Sequence, residues 1–94
     1  MVKHIVIYQL REDCDKQAAV QEISQALEPL VGVIPGLQWL GGCPTYQGDA
    51  DYVLYSEFDS AEALAGYQVH PDHVAAKEVV HKYVATRMAA DYEY

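Results

Sequence analysis

Two short segments carry large apolar residues at both odd and even positions, and this restricts the folds open to the chain. Between Lys3 and Arg11, the set His4, Val6, Tyr8 and Leu10 alternates with the set Lys3, Ile5, Ile7, Gln9 and Arg11. Between Tyr52 and Phe58, Tyr52, Leu54, Ser56 and Phe58 alternate with Val53, Tyr55 and Glu57. A β-strand sends alternate side chains to opposite faces, and a strand with one wet face has one polar set. Neither segment has such a set, so both are expected to be covered on both faces.

The intervening segments have helical spacing. Apolar residues at Val20, Ile23, Leu27, Leu30, Val31 and Ile34 fall on one helical stripe. Asp13 and Asp15 are candidate N-caps for it. Pro29 lies inside the pattern, where it removes one backbone bond and predicts a kink or a tightened last turn. Pro35-Gly36 breaks the chain. Leu37 to Leu40 reads as a short strand, with Leu37 and Trp39 on one side and Gln38 and Leu40 on the other. Gly41-Gly42 suggests a bulge or bend there. Cys43 to Asp51 has loop composition. Asp59 with Glu62 predicts a capping box for a second helix, which ends near His70 because that residue precedes a proline. Pro71 suits the first turn of a third helix, running to about Lys82. Tyr83 to Tyr92 reads as a last strand. The order β-α-β-β-α-β, with its second helical region broken at His70-Pro71, predicts an α+β, ferredoxin-like fold in one domain over residues 1–94. Its four-stranded antiparallel sheet would carry the helices on one face.

That layering leaves the other face uncovered, yet whichever way the strands turn, either Ile5 and Ile7 or Val6, Tyr8 and Leu10 point outward. Exposed apolar patches of more than a few hundred Å² mark contact surfaces. Hiding ~600 Å² per subunit contributes about 15 kcal/mol before association costs. The expectation is a homodimer whose sheets face each other as an α/β barrel. The alternative is a monomer with that face shielded by the Cys43–Asp51 loop. A barrel would enclose a chamber between the sheets, and the eight tyrosines against one phenylalanine suit such a lining.

Charge narrows the partners. Fourteen acidic and six basic residues give a net charge of −8, which argues against nucleic acid and against an anionic membrane surface. The longest early apolar run, Ile5 to Tyr8, has four residues, against about 7–15 for a secretory leader and about 18 or more for a span. The expectation is a soluble cytoplasmic protein with Cys14 and Cys43 reduced.

The densest chemistry lies in Tyr67-Gln68-Val69-His70-Pro71-Asp72-His73. A histidine can exchange a proton near neutral pH, and a phenol can donate to an enolate or oxyanion. One reading pairs His73 with Tyr67 at a pocket mouth. The other has His70 capping the helix at Pro71, with His73 a solvated first-turn residue. His70 and His73, with Asp72 and His4, fall short of the ligand set of a zinc site, so no metal is expected. His81, at the end of the third helix, suits the helix dipole. No P-loop, GxGxxG, GxSxG, haem or flavin signature is present, and no cofactor is expected.

Several pieces in order, Lys3-His4-Ile5-Val6 then Leu10, Ile34-Pro35-Gly36, Tyr52-Val53-Leu54 with Phe58, Ala63-Leu64, Tyr67-x-x-His70-Pro71-x-His73 and Asp91-Tyr92, resemble the stress-responsive α/β-barrel (Dabb) family. The resemblance implies a ferredoxin-like homodimer and a stress-related or small-molecule-binding protein. One member is a plant polyketide cyclase that works without a cofactor. Its base aligns with His73, its tyrosine with Tyr67, and its other pocket histidines with His4 and His70. Its further pocket tyrosine is replaced here by Leu27. The alternatives this implies are acid–base chemistry on a small carbonyl or aromatic compound through His73 and Tyr67, or a cofactor-free monooxygenase-like dimer.

Overall fold

Alternation in the strands and the placement of caps, prolines and glycines account for the observed architecture. The computed structural model describes all residues from Met1 to Tyr94. The elements are β1 (Val2–Leu10), α1 (Lys16–Leu27), a 3-10 turn (Glu28–Leu30), β2 (Leu37–Pro44), β3 (Tyr52–Phe58), α2 (Ala61–Val69), α3 (Pro71–His81) and β4 (Val84–Glu93). The strands form one antiparallel sheet in the order β2-β3-β1-β4. No helix is long and apolar enough to cross a membrane.

The Asp15 side chain accepts from the amides of Gln17 and Ala18 and starts α1; Asp13 instead pairs with Arg11. Pro29 tightens the end of α1 into the 3-10 turn, and Ile23, Leu27, Leu30 and Ile34 stay buried across the change of pitch while Val31 is exposed. α2 is capped by Ser60, whose hydroxyl accepts from the Ala63 amide. The Asp59 box is therefore displaced by one residue, and Asp59 accepts from Gln38 Nε2 at 2.8 Å instead.

β2 departs furthest from expectation. Its register against β3 slips between Leu37 and Trp39, so Leu37 and Leu40 are both buried while Trp39 is turned outward, 53% exposed. Strict alternation fails because a bulge adds one residue to one strand of the pair. The Gly41-Gly42 pair is not the bulge. Gly42 faces the helices, and a Cβ there would overlap the Tyr52 hydroxyl, which is hydrogen-bonded to Ser24 Oγ at 2.8 Å. The strand runs on through Cys43 and Pro44, which shortens the following loop.

The inner face of the sheet, under the helices, takes Val2, His4, Val6, Tyr8 and Leu10 from β1 and Tyr52, Leu54, Ser56 and Phe58 from β3. The outer face takes the other set. Ile5 stands between Tyr55 and Ala90, and Ile7, 39% exposed, between Val53 and Met88. The loop after β2 borders this face: Asp49 and Asp51 are tied to Gln9 and Leu10, and Thr45, Gln47 and Gly48 line with Ile7, Val53 and Met88 a second cavity of about 450 Å³ that the loop leaves uncovered on its outer side. Its Tyr46 points into solvent. The apolar outer face is thus open.

Candidate functional site

A cavity of about 510 Å³ lies within the chain, between the inner face of the sheet and α3. The expected chamber between two sheets is therefore not where the candidate residues gather. Tyr8, Tyr52 and Tyr67, the buried tyrosines, all sit under the helices. Edge-to-edge, the lining runs from His4, Tyr8 and Leu54 on the central strands, past Tyr67 on α2 and His73 on α3, to Arg87 on β4. Leu27 lines it as well.

The α2–α3 junction sets the geometry. In a continuous helix the Tyr67 carbonyl would receive the amide hydrogen of residue 71, but Pro71 has none. The helix ends; the Tyr67 carbonyl instead accepts from the His70 amide and from His73 Nδ1 at 2.9 Å. Because a carbonyl only accepts, Nδ1 carries the proton and Nε2 keeps its lone pair. The His73 ring also stacks on the Tyr67 ring, with centroids 3.8 Å apart and planes at 22°. Phe58 packs on the other part of Tyr67 at 5.0 Å. Both partners are enclosed: His73 is 6% exposed and Tyr67 1%. His73 is therefore no solvated first-turn residue.

His70 takes a different part. Its Nδ1 accepts from the Asp72 amide at 3.1 Å and caps α3, and it does not line the cavity. His4, 3% exposed, donates from Nδ1 to the carboxylate of Asp91, its cross-strand partner on β4. The chain holds no group of three or more His, Cys, Asp and Glu side chains placed to share a cation.

Electrostatics follow from burial. Burial and the nearby Lys77 ammonium lower the His73 pKa to about 4, so the ring is neutral at pH 7. Burial raises the Tyr67 phenol well above its ordinary value, which leaves it a neutral donor. Neither Tyr67 Oη nor His73 Nε2 has a protein partner, and no buried side-chain nitrogen or oxygen is left unpaired. Both atoms therefore keep access to the cavity they line. One donor and one acceptor side by side can orient a polar group of a ligand whose apolar body rests on Leu27 and Leu54. A general base works best with a pKa near the working pH, and a histidine titrating near 4 is a weak one.

Lys77, His81 and Arg87 also line the cavity, and the sequence reading did not assign them there. On α3 the signal was present: His73, Ala76, Lys77, Val80 and His81 recur at helical spacing with His73. On β4 it was not, because Arg87 takes its place from the register opposite Tyr8.

The sequence profile described as the stress responsive A/B barrel domain matches residues 2–94. The chain belongs to this family. A dimeric ferredoxin-like protein of Bacteroides fragilis is 31% identical, covers 99% of this chain and 95% of its own, and superposes with a TM-score of 0.90. A dimeric ferredoxin-like protein of Thermobifida fusca, 24% identical over 99% of this chain and 90% of its own, shares the fold at a TM-score of 0.86. A stress-response A/B barrel domain-containing protein of Arabidopsis thaliana is 29% identical over 79 residues, 79% of this chain. That match spans 38% of the plant protein's length, so this chain corresponds to well under half of that relative. The resemblance read from Tyr67-x-x-His70-Pro71-x-His73 thus leads to the right family, and the junction gives that spacing a structural reason.

Proposed function

We propose that this A/B barrel protein is a homodimer, packed outer sheet face to outer sheet face, in which each copy holds a small organic molecule between its own sheet and α3. The ligand-binding part is carried by one observation: a cavity of about 510 Å³ into which the Tyr67 hydroxyl and His73 Nε2 open without protein partners. Cavities of roughly 300–1,000 Å³ with an apolar wall and few polar groups suit small molecules. The dimer is supported by the open apolar face around Ile5, Ile7, Val53 and Tyr55 and by the dimeric Bacteroides fragilis relative. Unpaired Cys14 and Cys43 fit a reducing compartment, the cytoplasm.

Proton abstraction by His73, with Tyr67 steadying an enolate, is the second reading. Stacking and the free Nε2 favour it; the weak basicity of His73 ranks it below binding. The test is a screen of small aromatic and carbonyl compounds by protein-observed NMR. Binding that shifts His73 and Tyr67 resonances is expected. A screen in which no compound shifts them contradicts the reading.

A further inference from the structure

The chain carries fourteen acidic residues and six basic ones, yet the cavity wall inverts that balance. Lys77 and Arg87 line it, and no aspartate or glutamate does. The ion pairs of the structure are His4–Asp91, Arg11–Asp13, Lys16–Glu12 and Lys16–Asp51. Neither Lys77 nor Arg87 is therefore neutralised; Lys77 Nζ donates to the Gln68 carbonyl at 3.3 Å. Arg87 acts on the phenols of both Tyr8 and Tyr67, drawing their pKa values down against burial, so its field reaches into the cavity. Asp91, the cross-strand partner of the lining residue His4, is bound by it. A cleft of one sign within a molecule of the other focuses potential on that cleft.

We propose that the cavity selects organic carboxylates, with the acid group held by Arg87 and Lys77 and an apolar body between Leu27, Leu54 and Tyr67. The inference rests on the ligand-binding reading of the same cavity and adds the ligand's chemical class. A planar guanidinium matches a carboxylate through two parallel hydrogen bonds, and a lysine on the facing wall adds a point charge. The Tyr67 hydroxyl and His73 Nε2 remain for a carbonyl or hydroxyl elsewhere on the ligand. An inorganic anion would satisfy the charge and leave the apolar wall uncovered.

The test uses three probes on the whole chain: phenylacetate, its neutral analogue phenylacetamide, and inorganic phosphate, each titrated by calorimetry and NMR at neutral pH. Phenylacetate is expected to bind at least about tenfold more tightly than the amide and than phosphate. Arg87→Gln is expected to bring acid and amide affinities to within about twofold of each other, and Arg87→Lys to restore part of the difference. Equal binding of acid and amide by the wild type overturns the proposal, as does discrimination that survives both Arg87→Gln and Lys77→Gln. Phosphate binding as tightly as phenylacetate overturns the apolar half of it. If no probe moves the His73 and Tyr67 resonances, the ligand-binding reading itself fails, and the proposal fails with it.

Discussion

His73 Nδ1 lies 2.9 Å from the carbonyl oxygen of Tyr67, and the two rings stack at 3.8 Å. They stand six positions apart in the chain, across a helix break. The hydrogen bond exists because Pro71 cannot fill that carbonyl, and it leaves His73 Nε2 as the atom offered to the cavity.

The stack and the hydrogen bond separate by mutation. His73→Phe keeps a ring on Tyr67 and removes one bond to its carbonyl, with an expected loss of about 1 kcal/mol. His73→Ala removes both and opens a void, with an expected loss of about 3 kcal/mol. Urea unfolding of the two variants measures the difference, and equal losses would show that stacking contributes nothing.

Acid acts on the same histidine. Its folded pKa, about 4, lies below that of free imidazole, so the unfolded chain binds the proton more readily. The stability His73 contributes is complete above about pH 6.5 and is lost as the pH falls toward 4. Over that window the wild type is expected to lose about 2–3 kcal/mol more than His73→Phe, which cannot titrate. Parallel pH–stability curves for the two would contradict it, as would an NMR titration placing His73 above pH 6.

Gly42 tests the inner packing of β2. Gly42→Ala puts a methyl group where the Tyr52 hydroxyl lies, forcing Tyr52 off Ser24. The expected loss is about 2–3 kcal/mol. Ser24→Ala, which removes only the bond, is expected to cost about 1 kcal/mol. Thermal unfolding compares the pair; a neutral Gly42→Ala would contradict this packing.

The outer face tests the dimer. Ile7→Glu places a charge among Ile5, Val53 and Met88, outside the protomer core. A folded monomer is expected by circular dichroism and sedimentation velocity. A variant that still sediments as the wild type does would move the interface elsewhere.

Strand alternation was enough to read the sheet, and both-sided apolarity was enough to read the open outer face. The bulge at Leu37–Trp39 was not legible, because nothing local marks the inserted residue; only the burial of Leu37 and Leu40 together reveals it. The Tyr67-x-x-His70-Pro71-x-His73 motif was legible, but the space that Tyr67 and His73 line was not, because the sequence pointed only to a chamber between two sheets. Tyr67, His73, His4 and Leu27 do meet at one cavity, but beneath the helices. Which set of β1 turns inward was not legible, because His4, Val6, Tyr8 and Leu10 and the alternate set Lys3, Ile5, Ile7, Gln9 and Arg11 both mix polar and apolar residues; the structure turns the first set inward. Asp91 and Arg87 needed the β1–β4 register, which joins residues far apart in the chain.

The most direct test of where this protein works is an NMR titration of it with phenylacetate, followed on both sides of the sheet. Shifts at Tyr67 and His73, with Ile5, Ile7 and Tyr55 unmoved, are expected. Shifts confined to Ile5, Ile7 and Tyr55 would place the ligand between the sheets and contradict the binding site under α3.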